Sequence, residues 1–212
     1  MDKMAGILIR YVLLAGMIAF ILAGCGAKAL TTTPTTMLPY IHYTPSARFN
    51  IHLEFDYPSS WVFNEEKIQD TDIIVVGLGD PRLLTVPTRA PNEPHGTPSD
   101  FGRISIWIQP VNSNQTLETV VESYKQGGSD KSWITKLNDY KIKLDGYDAS
   151  VLEYQIEPIF DNGYTSVMFE RDTFFAVQDQ IYQITFTVAE KERGGEFEKG
   201  YDYFFNSLKI VP

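Results

Sequence analysis

The residues able to do chemistry are few and scattered. The chain has 212 residues, one cysteine (Cys25) and three histidines (His42, His52 and His95). A transition-metal site wants three or four His, Cys or carboxylate ligands, and none of these histidines has a partner at ligand spacing. His95 shares a Pro-rich stretch with Glu93 and Asp100, but three residues in a loop are read more simply as surface. Gly77-Leu78-Gly79 opens like a dinucleotide loop. Arg82 then stands where the third glycine is needed, and no βαβ unit follows. Asp161-Asn162-Gly163 offers oxygens but lacks the Asp/Asn ladder and terminal Glu of a calcium loop, so it reads as a turn. No Gly-x-Ser-x-Gly, His-Glu-x-x-His or phosphate loop occurs. The sequence offers no nucleophile–base pair, so no catalytic residue, metal or cofactor is expected, and the protein reads as not an enzyme.

Cys25 has a role of a different kind. Lys3 and Arg10 flank the start of an apolar run, Tyr11–Ile21, which ends in Leu22-Ala23-Gly24-Cys25. A short positive segment, an apolar core and small residues before a cleavage point make a secretory signal. With Cys at that point, the stretch resembles a bacterial lipoprotein signal. The resemblance implies that residues 1–24 are removed and that Cys25, now first, carries a diacylglycerol through its sulfur. Two or more acyl chains on one residue anchor stably, at about 0.8 kcal/mol per buried methylene. The expected location is the extracytoplasmic side of a bacterial membrane, inner or outer according to the host.

Charge supports attachment by lipid. The formal net charge is −9, and the signal contributes Lys3, Arg10 and Asp2, or +1, which leaves the rest of the chain near −10. An acidic surface repels phosphate and anionic headgroups, and no Lys/Arg patch appears, so nucleic acid is not an expected partner. Cys25 also rules out an internal disulfide, leaving a domain that must be stable through its core alone.

Residues 25–47 read as a tether, because Thr31-Thr32-Thr33-Pro34-Thr35-Thr36 has no periodicity and stays extended. A domain then runs from 48 to 212. Phe49, Ile51, Leu53, Phe55 and Tyr57 alternate with polar residues, as a half-buried strand should. Asp72–Leu78 and Arg103–Gln109 are further strands. Leu117, Val120, Val121 and Tyr124 fall at helical spacing in Thr116–Gln126, with Gly127-Gly128 as the expected stop. Trp133–Leu144 and Tyr147–Glu157 are joined by Asp145-Gly146, a hairpin turn. Tyr164–Val177 and Ile181–Val188 follow, and Glu196–Ser207 is a helix with one aromatic face. Tight turns make the sheet antiparallel. The expected class is α+β, a central antiparallel sheet covered by two or more helices. On that arrangement Trp107 is expected in the core, since a helix is available for each face of the sheet.

Residues 79–102 form a Pro-rich loop with no period. Loops of such length are usually functional or disordered. Arg89 and His95 within it are the speculative partner-binding residues; a solvated insertion is the plainer alternative.

Several pieces together resemble the PsbP-like domain. They are Tyr57-Pro58-Ser59-Ser60-Trp61 after a strand, the helix at Thr116–Tyr124, the hairpin at Leu144–Ala149 running into Leu152-Glu153-Tyr154, and the ending Phe204-Phe205-Asn206-Ser207-Leu208-Lys209-Ile210. The likeness spans about Phe49 to Val211. It implies a PsbP-like α/β/α sandwich and an adaptor or assembly role at a membrane complex, with a protein partner. No functional residue of that superfamily can be matched here. The alternative is a lipoprotein that binds a small ligand or a metal for a transporter or sensor. A deep pocket with converging Asp, Glu or His side chains would favour it, and a flat polar surface would exclude it.

Overall fold

A computed structural model describes residues 39–85, 101–112, 115–129, 131–158 and 166–211. Strands β1 (Tyr40–Tyr43), β2 (Leu53–Pro58), β3 (Val62–Lys67), β4 (Ile74–Gly79) and β5 (Arg103–Pro110) come first. Helix α1 (Leu117–Ser129) separates them from β6 (Ile134–Leu144), β7 (Tyr147–Ile156), β8 (Met168–Val177) and β9 (Gln180–Ala189). Helix α2 (Glu196–Ser207) and the short β10 (Lys209–Ile210) close the chain.

Seven strands form one antiparallel sheet in the order β3-β4-β5-β9-β8-β7-β6. A second sheet, β1-β2-β10, is also antiparallel. The small sheet and α2 cover one face of the large sheet, here called the inner face. Ile104, Ile106 and Ile108 of β5 alternate onto it, as do Tyr182, Ile184, Phe186 and Val188 of β9. Tyr201 of α2 stacks on Phe186, with ring centroids 4.1 Å apart, and Phe204 meets Phe55 of β2 edge-on at 4.8 Å. The outer face has its own apolar cluster, in which Val121 of α1 packs with Leu152, Tyr154, Met168 and Phe174. The α+β expectation therefore holds, with a helix on each face of an antiparallel sheet.

Local chemistry explains the boundaries. Thr116 and Thr119 bond each other's backbone N–H reciprocally, at 3.2 and 2.8 Å, closing the start of α1. Asp145 and Gly146 both have positive φ, 47° and 90°, as a two-residue hairpin of the primed type requires.

Four features differ from the sequence reading. Helix α1 runs through Gly127 and Gly128 instead of stopping there. Gly128 faces Tyr154 and Ile134 of the sheet at ordinary van der Waals distance, and tertiary packing of the helix overrides weak propensity. Tyr40–Tyr43, inside the stretch read as tether, forms β1 by pairing with Phe55–Pro58. Val62–Lys67, a polar segment, forms edge strand β3. Trp107 is 39% exposed and not in the core, because α1 lies over β6 to β8 and leaves the outer face of β4 and β5 open.

Candidate functional site

Period-2 alternation in β8 places Met168, Glu170, Asp172 and Phe174 on the outer face. Met168 and Phe174 are buried under α1, and the two acids lie between them. The register sets Thr187 beside Glu170 and Thr185 beside Asp172 on β9, with Tyr154 and Leu152 opposite on β7. Helix α1 contributes Tyr124 from above. Its ring packs edge-on against Phe174 at 5.1 Å.

Where α1 ends its cover, a groove of about 620 Å³ opens between the helix and strands β5, β9 and β8. Glu170 and Gln183 form its floor, Gln109 and Val120 its sides, and Gly127 and Lys131 its rim. Half-buried Glu170 accepts a hydrogen bond from the Tyr124 hydroxyl at 3.3 Å and a long one from Thr187 at 3.5 Å. Asp172 is fully buried. Its Oδ1 accepts from Thr185 Oγ1 at 2.6 Å and from Gln183 Nε2 at 3.0 Å. Its Oδ2 has no partner, and neither has the hydroxyl of buried Tyr154 in the groove wall.

Burial raises the proton affinity of Glu170, and the adjacent Asp172 charge raises it further, with Arg103 opposing. Burial likewise raises Asp172, against the hydrogen bonds from Thr185 and Gln183. Two carboxyls so placed titrate as a unit. Tyr124 is held neutral by burial and by both acids. Nothing here resembles a nucleophile with its base. The described residues contain no group of three or more metal-ligating side chains, so the carboxyl pair by itself falls short of a metal cage.

The sequence-predicted residues lie elsewhere. Cys25, Arg89 and His95 fall outside the described residues, as do Asp161-Asn162-Gly163. Of the Pro-rich loop only the roots are described. Asp80 N donates to Gly102 O at 3.0 Å, and Asp80 takes a bidentate contact from Arg82, whose guanidinium lies 4.5 Å from the Phe101 ring centroid. His42 sits on β1, 2.7 Å from Asp56 of β2. His52 contacts the Val211 carbonyl at 3.0 Å. Trp61 is core, stacked on Phe197 at 4.5 Å. The carboxyl pair went unseen in the sequence. Its trace was present, since Glu170 and Asp172 occupy the apolar phase of a strand that also carries Met168 and Phe174.

This architecture, a long antiparallel sheet with a helix and a small sheet on one face and a second helix on the other, is the PsbP-like fold. The solution structure of cyanobacterial PsbP (CyanoP) from Synechocystis sp. PCC 6803 is similar over 84% of this chain and 96% of that one, with a TM-score of 0.53 and 16% identity. The crystal structure of LpqN, involved in cell envelope biogenesis of Mycobacterium tuberculosis, is similar over 82% of this chain and 91% of that one, with a TM-score of 0.55 and 10% identity. At such identities the likeness is one of fold. No protein-family model matches the sequence, and no curated protein matches it.

Proposed function

We propose that this chain is a non-enzymatic binding module held outside a bacterial membrane by lipid on Cys25, and that a small ligand enters the groove beside α1. The observation that carries the ligand is the groove itself. It is of the size that takes small molecules, mixes apolar walls with a few converging polar groups, and has the half-buried Glu170 carboxyl at its floor. The Leu22-Ala23-Gly24-Cys25 stretch supports the lipid anchor.

Two measurements test the reading. Cys25→Ser moves the chain from the membrane fraction to the soluble one; retention in the membrane would remove the lipid anchor. Native mass spectrometry of the full chain from its host membrane reveals a bound small molecule that Gly127→Phe abolishes. A Cβ at Gly127 meets nothing within 4 Å, so the new ring occupies the groove rim without forcing the helix. A chain free of small molecules would overturn the groove reading.

A protein-adaptor role at a membrane complex is the second reading. It is favoured by the open outer face of β4 and β5, where Trp107 is exposed beside half-buried Val75. Crosslinking in the native membrane to a single partner, lost in Trp107→Ala, would support it.

A further inference from the structure

Resting on the groove reading, we infer that the occupant is a neutral oligosaccharide, bound with one ring in the groove and another laid on the exposed face of Trp107. The groove lining mixes donors with acceptors. Gln109, Gln115 and Gln183 each bring an amide, and Ser123 brings a hydroxyl. An amide carries two donors and an acceptor, and a hydroxyl is both at once. Sugar hydroxyls need that same mixture around them. Gln183 spends its Nε2 on Asp172 and Thr185, at 3.0 and 3.2 Å, and so keeps its carbonyl oxygen as the open acceptor. Glu170 adds an acceptor at the floor and Lys131 a donor at the rim, with opposite charges. The lining therefore favours no ligand charge of either sign, and the net charge of −9 repels anions.

Trp107 is the independent observation. It is 39% exposed on the outer face of β5, where α1 leaves the sheet open. The ladder sets it directly beside Gln183 of β9, and Gln109 lies two residues further along the same face of β5. Both glutamines line the groove, so the indole adjoins the groove on its β5 side. On the other flank its ladder partner is Val75, and the diagonal neighbour is Gly77, where a Cβ would meet only Asn64, at 4.0 Å. No side chain rises from Gly77 to shield the ring. A pyranose has an apolar face of C–H bonds and a rim of hydroxyls. The C–H face suits an aromatic ring, whose π face is negative. The hydroxyl rim suits Ser105 and the two glutamines around the indole. Strand β5 lies two strand spacings, about 10 Å, from β8 and its Glu170. A ligand that reaches both is longer than one sugar ring.

The test is calorimetry on the full chain in lipid nanodiscs, against empty nanodiscs. The probes are the neutral tetrasaccharides cellotetraose, maltotetraose and tetra-N-acetylchitotetraose, with anionic tetragalacturonate as the control. A neutral probe is expected to bind saturably, with an affinity unchanged between about 50 mM and about 500 mM salt, since no ion pair is there to be screened. The control should give no saturable heat. Trp107→Ala and, independently, Gln109→Leu should each weaken binding about tenfold, the factor that one lost contact of about 1.4 kcal/mol gives, and Gly127→Phe should abolish it. Binding that survives Trp107→Ala, or that ignores Gly127→Phe, would overturn the inference, because the platform and the groove would not form one site. If no neutral probe binds while the native chain carries a small molecule that is not a saccharide, the inference falls and the groove reading stands. If no probe binds and no small molecule co-purifies, both fall. A crosslinked protein partner lost in Trp107→Ala, with no saccharide bound, would overturn the inference in favour of the adaptor reading.

Discussion

Arg171 donates through Nε to Oε1 of Glu153 at 2.7 Å, directly across the β7–β8 ladder. The pair lies on the face of β8 opposite the Glu170–Asp172 carboxyls. Asn138 and Tyr140 also donate to Glu153, at 2.6 and 3.2 Å. Burial works to raise the Glu153 pKa, but these hydrogen bonds and the Arg171 charge outweigh it, so Glu153 stays ionised. The guanidinium also lies 5.7 Å from the Tyr201 ring centroid of α2. One sheet thus holds a compensated acid on one face and an under-compensated pair on the other.

Removing one partner of a buried pair strands the other charge, which costs about 3–5 kcal/mol. Arg171→Met should therefore destabilise strongly, and Arg171→Met with Glu153→Leu should recover most of the loss. Urea unfolding of both variants measures this. A single-variant loss below about 1 kcal/mol, the range of surface pairs, would show that Glu153 finds compensation without Arg171.

The two faces predict opposite pH limbs. Glu170 and Asp172 have raised folded pKa values, so the native state binds more protons than the unfolded one. Their contribution is complete below the unfolded carboxylate range, about 4, and is lost as pH climbs through the raised values. Glu153 is lowered despite burial, as is Asp80 through its Arg82 contacts. Their contribution is present above about 4 and is lost as pH falls through the lowered values. The double variant Glu170→Gln, Asp172→Asn should flatten the alkaline limb of a melting-temperature profile and leave the acid limb in place. An unchanged alkaline limb would place the raised affinity elsewhere.

Two glycines should respond in opposite senses to alanine. A Cβ on Gly102 would run into the Phe197 ring, which stacks on Trp61. Overpacking of this kind costs about 1–3 kcal/mol. Gly127 sits inside α1 with open space around it, and Gly-to-Ala in a helix gains up to about 1 kcal/mol. Thermal unfolding of both variants decides. A stable Gly102→Ala would mean that Phe197 has room to move.

The tryptophans separate core from surface. Trp61 is 9% exposed and Trp107 39%. Trp61→Ala should cost about 3–5 kcal/mol, as large core truncations do. Trp107→Ala should stay within about 1 kcal/mol, in the range of surface substitutions. Equal losses in chemical denaturation would return Trp107 to a covered position.

Strand content was legible because alternation is a local property. Ile104, Ile106 and Ile108 declare a buried face whatever lies across from them, and Asp145-Gly146 declares its turn through backbone geometry alone. Strands β1 and β3 were not legible, since Tyr40–Tyr43 and Val62–Lys67 carry no alternation strong enough to stand apart from their pairing partners. The acids at Glu170 and Asp172 were visible as residues in an apolar phase, but their meaning was not.

That meaning belongs to tertiary structure. The sequence alone determined the α+β class, the two amphipathic helices, the acidic balance and the position of the only thiol, since each depends on residues near one another in the chain or on composition. Pairing of β5 with β9 joins segments far apart in sequence, and nothing local specifies it. That pairing, with α1 set down on β6 to β8, decided that Trp107 meets solvent. It also brought Tyr124 onto Glu170 and left a groove floored by Glu170, with Asp172 buried beside it. A side chain's face is set by its own strand, but what covers that face is set by which distant elements bury the most apolar surface together.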